Sequence, residues 1–290
     1  MSRTRLMRTS AALATVIAMS AAVAAQASHN KKHDDRDWWK KGPDRMLVAT
    51  TDSNQLITFN AKDRRIRKLV SIKGLPAGEK LVGIDFQPAS GALYGVGTNE
   101  IVYRISERTG IAIAEGPAFT PALNGQSFGV DFNPVVNRIR VVSDAEQNLA
   151  LDPDAGTAAT NANLNPAGEM IVGAAYENSQ FSATPPAATT LHVVGAANDR
   201  LYTQNPPANG TLTNPRNLRV PGAGRLDVGA NVGFDIEGAS GLGYLTDADP
   251  GRGTTLYTVD VPTGKAKSLG RIGGRSLTLT GLAVVQDLGS

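Results

Sequence analysis

Asp85, Asp131 and Asp235 each stand two residues after a glycine, in the segments GIDF, GVDF and GFDI. Carboxylates that recur at one place in a repeated unit invite two chemistries. Converging on the centre of a ring, they suit a cation that takes oxygen ligands. As a pair flanking a glycosidic bond, they suit general acid and base work. A third role is structural: each Asp binds backbone amides of its own or a neighbouring unit, and recurs because every copy needs that bond. Repetition favours this last role, since a catalytic pair needs two different environments. Two further copies carry Ala175 and Ala283 in the same slot, which excludes a symmetric ring of five carboxylates. Asp85, Asp131 and Asp235, with Asn133 from the DFNP segment, are the candidate channel-lining or ligand-lining residues. No catalytic residue and no metal ligand is assigned, and a structural Ca²⁺ in the channel is the one cofactor considered.

Other polar groups read as structure. Asp52, Asp144 and Asp247 follow Thr or Ser ahead of a strand and look like turn residues. GQSFG, from Gly125 to Gly129, matches the spacing of a serine nucleophile elbow, but Ser127 leads into a strand rather than a helix. His192, the one histidine after the leader, sits inside the apolar run LHVV and reads as a packed strand residue. His29 and His33 lie among Asp34, Asp35 and Asp37 without the rigid surroundings a metal site requires. The chain contains no Cys, so thiolate catalysis, thiolate metal sites and disulfides are excluded.

The elements that must position these residues are short strands. LVATT, QLITF and IRKLVSI come first, separated by turn residues, and then LVGIDF opens a cycle that recurs. Successive anchor glycines, Gly83, Gly129, Gly173, Gly233 and Gly281, are 46, 44, 60 and 48 residues apart. Units of this length with four strands each mark a β-propeller. The long interval contains a turn-rich insertion, Pro185 to Asn214, which is expected to enlarge one end of the ring, with NLRV (217–220) as the outermost strand of that unit. The 10 residues from Gly281 and the 37 from Met46 to Val82 together make one more unit. The expected fold is therefore all-β: a propeller of five four-stranded blades, closed by pairing the C-terminal strand with the first three. No stretch holds a helical period.

Residues 1–27 read as a signal peptide: Arg3, Arg5 and Arg8 precede an apolar run that ends at Ala25-Gln26-Ala27. That segment holds three basic and no acidic residues, so removing it leaves 26 of the 29 basic residues against 26 acidic ones. The neutral remainder argues against a nucleic-acid partner. Residues 28–45 form a charged leader carrying Trp38 and Trp39, and 46–290 are a single domain. The expected location is the periplasm or the cell exterior, with no membrane contact after cleavage.

The run GVDFNPVVNRIRVVSDAEQNLALDPDAG (129–156), followed by NLNPAG, VGAAYENS, QNPPANGTLT and LYTVDVPTGKAKSLGRIGG, resembles the bacterial family called domain of unknown function 4394. The resemblance runs from about Met46 to the end. It implies an exported propeller-type domain and carries over no activity or catalytic residue. With no differentiated nucleophile or acid-base set, the chain reads as a non-enzymatic scaffold that binds a protein or a glycan through its loop faces. A carboxylate-dependent glycoside hydrolase at the channel mouth is the alternative.

Overall fold

The computed structural model describes residues 43–286; the signal segment and all but the end of the charged leader lie outside the described residues. The described chain starts with β1 (Met46–Thr51), β2 (Gln55–Asn60) and β3 (Ile66–Ser71). One four-strand set follows as β4 (Leu81–Phe86), β5 (Leu93–Gly97), β6 (Val102–Ile105) and β7 (Ala112–Ala114). Another is β8 (Phe128–Asn133), β9 (Arg138–Ser143), β10 (Asn148–Asp152) and β11 (Thr157–Thr160). The next comprises β12 (Ile171–Tyr176), β13 (Leu191–Gly195), β14 (Arg200–Gln204) and β15 (Leu212–Asn217). The remaining strands are β16 (Arg219–Val220), β17 (Gly224–Arg225), β18 (Val232–Ile236), β19 (Leu242–Asp249), β20 (Gly253–Asp260), β21 (Lys265–Ile272) and β22 (Leu279–Val284).

These strands make five antiparallel blades of a propeller. Blade 1 has the order β22-β1-β2-β3, so the last strand of the chain supplies the innermost strand of the first blade. Blades 2, 3 and 4 run outward as β4 to β7, β8 to β11 and β12 to β15. The innermost strands β4, β8, β12, β18 and β22 adjoin one another in that order around the axis. Closure through β1 and β22 removes the open sheet edge that would otherwise template aggregation.

The core lies between blades. Leu47, Ile57 and Phe59 of blade 1 pack with Tyr244 and Leu256 of blade 5, and Val48, Leu56 and Ala283 pack with Ile84 and Phe86 of blade 2. Each innermost strand is thus buried on both faces, which is why these strands read as nearly continuous apolar runs.

Blade 5 departs from expectation. It has six strands in the order β17-β16-β21-β20-β19-β18. Arg219 and Val220 of NLRV do not form the outer strand of blade 4; they cross over, and Arg219 pairs in parallel with Lys265. The outer strand of blade 4 is Leu212–Asn217, where Pro215 is tolerated because an edge strand has one unpaired side. No helix among the described residues is long and apolar enough to cross a membrane.

Candidate functional site

The anchor glycines decide how wide the channel is. A Cβ on Gly83 would lie 2.5 Å from Val130 of the next blade, one on Gly129 2.5 Å from the Ala174 nitrogen, and one on Gly233 2.5 Å from Leu282. Without side chains there, the five inner strands close up around a space of about 10 Å³, the lower limit for a single water. The propeller has no open bore at this level.

One step further along the same strands, Asp85, Asp131 and Asp235 converge. A carboxylate oxygen from each lies within 4.8 Å of the other two, and all three residues are buried. Each reaches forward to the next blade. Asp85 Oδ2 accepts the Phe132 amide at 2.8 Å, Asp131 Oδ1 the Tyr176 amide at 3.0 Å, and Asp235 Oδ2 the Val284 amide at 2.6 Å. Blades 4 and 1 carry Ala175 and Ala283 in this slot and have nothing to offer forward. In the blades that follow them, the carboxylate also serves its own strand: Asp235 Oδ1 accepts the Ile236 amide at 2.6 Å, and Asp85 engages the Phe86 amide. Three carboxyls thereby satisfy five inner-strand amides, which explains how two blades manage without an Asp.

Burial, and then the charge of Asp235, push the Asp85 carboxyl well above the usual carboxylate range. Burial followed by the charges of Asp85 and Asp235 does the same to Asp131, and burial raises Asp235 to about 7. Main-chain amides are what oppose these shifts. Among the described residues, no ion pair involves any of the three carboxylates. The donor set is oxygen only and compact, so these three residues fit a hard cation such as Ca²⁺.

The end of the ring nearest the carboxyls is covered. The stretch Pro185 to Asn214, expected to be an insertion that enlarges one end of the ring, is mostly regular blade 4: it contains β13, β14 and the start of β15, and only its first residues belong to the loop of residues 177–190 between β12 and β13. That loop crosses the end of the ring: the Ser182 amide donates to the Pro88 carbonyl of blade 2 at 3.0 Å, and Gln180 Nε2 donates to the Gly238 carbonyl of blade 5 at 3.0 Å. Beneath it is a cavity of about 80 Å³ with Asp235, Ser179 and Gln286 in its wall and the Arg45–Glu237 ion pair beside them. Ser179 Oγ and Gln286 Oε1 are buried and have no hydrogen-bond partner.

The opposite face is open. A depression of about 390 Å³ lies over the channel, lined by Asp52, Lys80, Gln126, Phe128 and Asn231 among others. A larger cleft of about 590 Å³ lies on blade 5, walled by the β16–β17 hairpin and lined by Arg225, Arg252 and Arg271 together with Asp227, Asp247 and Asp249. The two share Ala230 and Asn231, so they form one continuous relief. Asp247 braces the partition: its Oδ1 accepts the Gly229 amide at 3.1 Å. Burial first, then the nearby Asp227, Asp249 and Asp199, raise Asp247 to about 6.

The remaining candidates separate from the cluster. Asn133 ends β8, and its Oδ1 accepts the amides of Val135 and Val136, making it a turn residue rather than a partner of the three carboxyls. Asp144 accepts the Gln126 amide at 2.9 Å, bracing the loop that enters β8 much as Asp247 braces the loop that enters β18. The Asp52 side chain accepts the Ser53 hydroxyl. Ser127 has no triad, because the His192 ring nitrogens are engaged by Glu177 at 2.9 Å and Arg216 at 3.1 Å. Reading the sequence missed the blade 5 cleft altogether; the excess length of the interval from Gly173 to Gly233 was its only trace.

The sequence profile of the family described as Domain of unknown function (DUF4394) matches residues 55–283, so the chain belongs to that family. No curated protein matches it in sequence. Among solved structures, one that is similar is a structural genomics protein of unknown function from Bacteroides thetaiotaomicron, with 15% identity and a TM-score of 0.48. That alignment covers 77% of this chain and 57% of the other, so the chain spans little more than half of that protein. A second is virginiamycin B lyase from Staphylococcus aureus, with 11% identity, a TM-score of 0.43, and coverage of 78% of this chain and 69% of that one.

Proposed function

We propose that this DUF4394 member is an exported binding propeller that takes a charged segment of a partner protein in the blade 5 cleft. The observation that carries the reading is the β16–β17 hairpin. It belongs to blade 5 alone and walls a space of about 590 Å³, within the range of ligand sites. Three arginines and three aspartates line it, and such a lining pairs better with a peptide bearing both signs of charge than with a neutral glycan. Loops on a rigid scaffold are where binding residues concentrate. Export rests on the basic, apolar and A-x-A pattern of residues 1–27.

The glycoside hydrolase reading has less to support it. Its carboxyls lie within 4.8 Å of one another, closer than the roughly 5 Å or more that chemistry asks, and all three pKa values are raised where an acid and a base need values pushed apart. Asp85, Asp131 and Asp235 are also buried and bound to main-chain amides, with no room between them for a sugar.

The test is a screen of the full chain against peptide and glycan arrays, repeated with Arg271→Ala and Arg225→Ala. Binding of mixed-charge peptides that weakens with salt and falls at least several-fold in both variants is the expected result. Glycan binding that both variants keep would overturn the assignment.

A further inference from the structure

We infer that Asp85, Asp131 and Asp235, with the cavity that Asp235 lines, form a buried divalent-cation site, selective for Ca²⁺, that ties the inner strands to the loop of residues 177–190. The first ground is geometry. Three oxygens all within 4.8 Å of one another share a point no more than about 2.8 Å from each, compatible with the 2.3–2.6 Å of Ca²⁺–oxygen bonds, and a buried cage of protein carboxylates suits Ca²⁺ better than Mg²⁺, which keeps several of its waters. The amide bonds do not use up the donors, since a carboxylate has about four lone-pair sites.

The second ground is independent of the carboxyls. Ser179 is only 8% exposed, its Oγ has no partner, and it lines the cavity that Asp235 also lines. Gln286 Oε1, in the same wall, is a buried acceptor without a donor. Protons on the aspartates would relieve their mutual repulsion but would leave this acceptor unserved. A cation with its remaining waters in the 80 Å³ cavity answers both needs.

Ser179 belongs to the loop that bridges to Pro88 and Gly238, so the ion would fasten the cover as well as the ring. This site is on the opposite end from the blade 5 cleft and does not depend on what that cleft binds.

The experiment uses the full chain, stripped with chelator and titrated with CaCl₂, in calorimetry and thermal unfolding. Expected are one Ca²⁺ per chain, a rise of several degrees in Tm, a smaller response to MgCl₂, loss of the response in Asp131→Asn, and affinity weakened several-fold in Ser179→Ala. Asn keeps an acceptor for the Tyr176 amide, so the fold is expected to survive. Should Asp131→Asn fail to fold, Ser179→Ala and the wild-type titration decide the matter. A wild type with no heat of binding and an unmoved Tm would overturn the proposal, as would a calcium response that persists in full in Asp131→Asn or in Ser179→Ala.

Discussion

Asp85 and Phe132 lie 47 residues apart and in different blades, yet Asp85 Oδ2 holds the Phe132 amide at 2.8 Å. The bond is repeated from Asp131 to Tyr176 and from Asp235 to Val284, always to the residue after the corresponding slot in the following blade. It adds a directional bond at the centre of the ring, where the inner strands are otherwise packed through apolar side chains.

Removing one such acceptor leaves a buried N–H without a partner, which costs about 1–3 kcal/mol. Asp85→Ala is therefore expected to lose stability by about that amount in urea unfolding with chelator present, whereas Asp85→Asn, which can still accept from Phe132, loses less than about 1 kcal/mol. Equal losses in the two variants would show that the amide bond is not what Asp85 contributes.

The glycine ring makes a sharper demand. Gly129→Ala would bring a Cβ to 2.5 Å from the Ala174 nitrogen and the Gly173 carbonyl carbon, both backbone atoms that cannot rotate away. A cost of about 3 kcal/mol is expected in denaturant unfolding, at the upper end for overpacking. Gly274→Ala, which meets nothing within 4 Å, is the control and should stay within about 0.5 kcal/mol of wild type. A Gly129→Ala protein as stable as the control would mean that the inner strands have slack.

Much of this was legible in the chain because repetition exposes it. Gly83, Gly129, Gly173, Gly233 and Gly281 gave the number of blades, and the incomplete units at the two ends gave the closure that β22 and β1 make. The Asp slot could be located, and its structural role weighed, from its recurrence and from the two alanines that interrupt it. Partner choice was hidden. NLRV has strand character wherever it pairs, and its crossing to Lys265 depends on the space beside β21 rather than on its own pattern. The true outer strand of blade 4, LTNPRN, has poor strand propensity and is held by its neighbour β14. Likewise, turn-forming composition in residues 177–190 announces a loop but says nothing of the Ser182 bond to Pro88 across the ring. The closed channel follows from contacts between blades that no single repeat contains.

Asp247 gives the partition of the open face a pH dependence whose sign can be worked out. Its folded pKa is raised to about 6, chiefly by burial and then by Asp227, Asp249 and Asp199, while the unfolded chain titrates near the ordinary Asp value of about 3.9. Between those values the folded protein holds more protons than the unfolded one, so stability falls as pH rises. The contribution is fully present below about pH 4 and is lost as pH passes about 6, at up to about 1.4 kcal/mol per pH unit within that window. Other raised carboxyls act in the same sense, so the quantity to measure is the difference between wild type and Asp247→Asn, whose amide oxygen still serves Gly229. That difference is expected to grow in favour of the variant from pH 4 to pH 6 and then level off. Stability curves for the two proteins that run parallel across this range would show that Asp247 titrates normally, with the loop around Gly229 not arranged about a desolvated carboxyl.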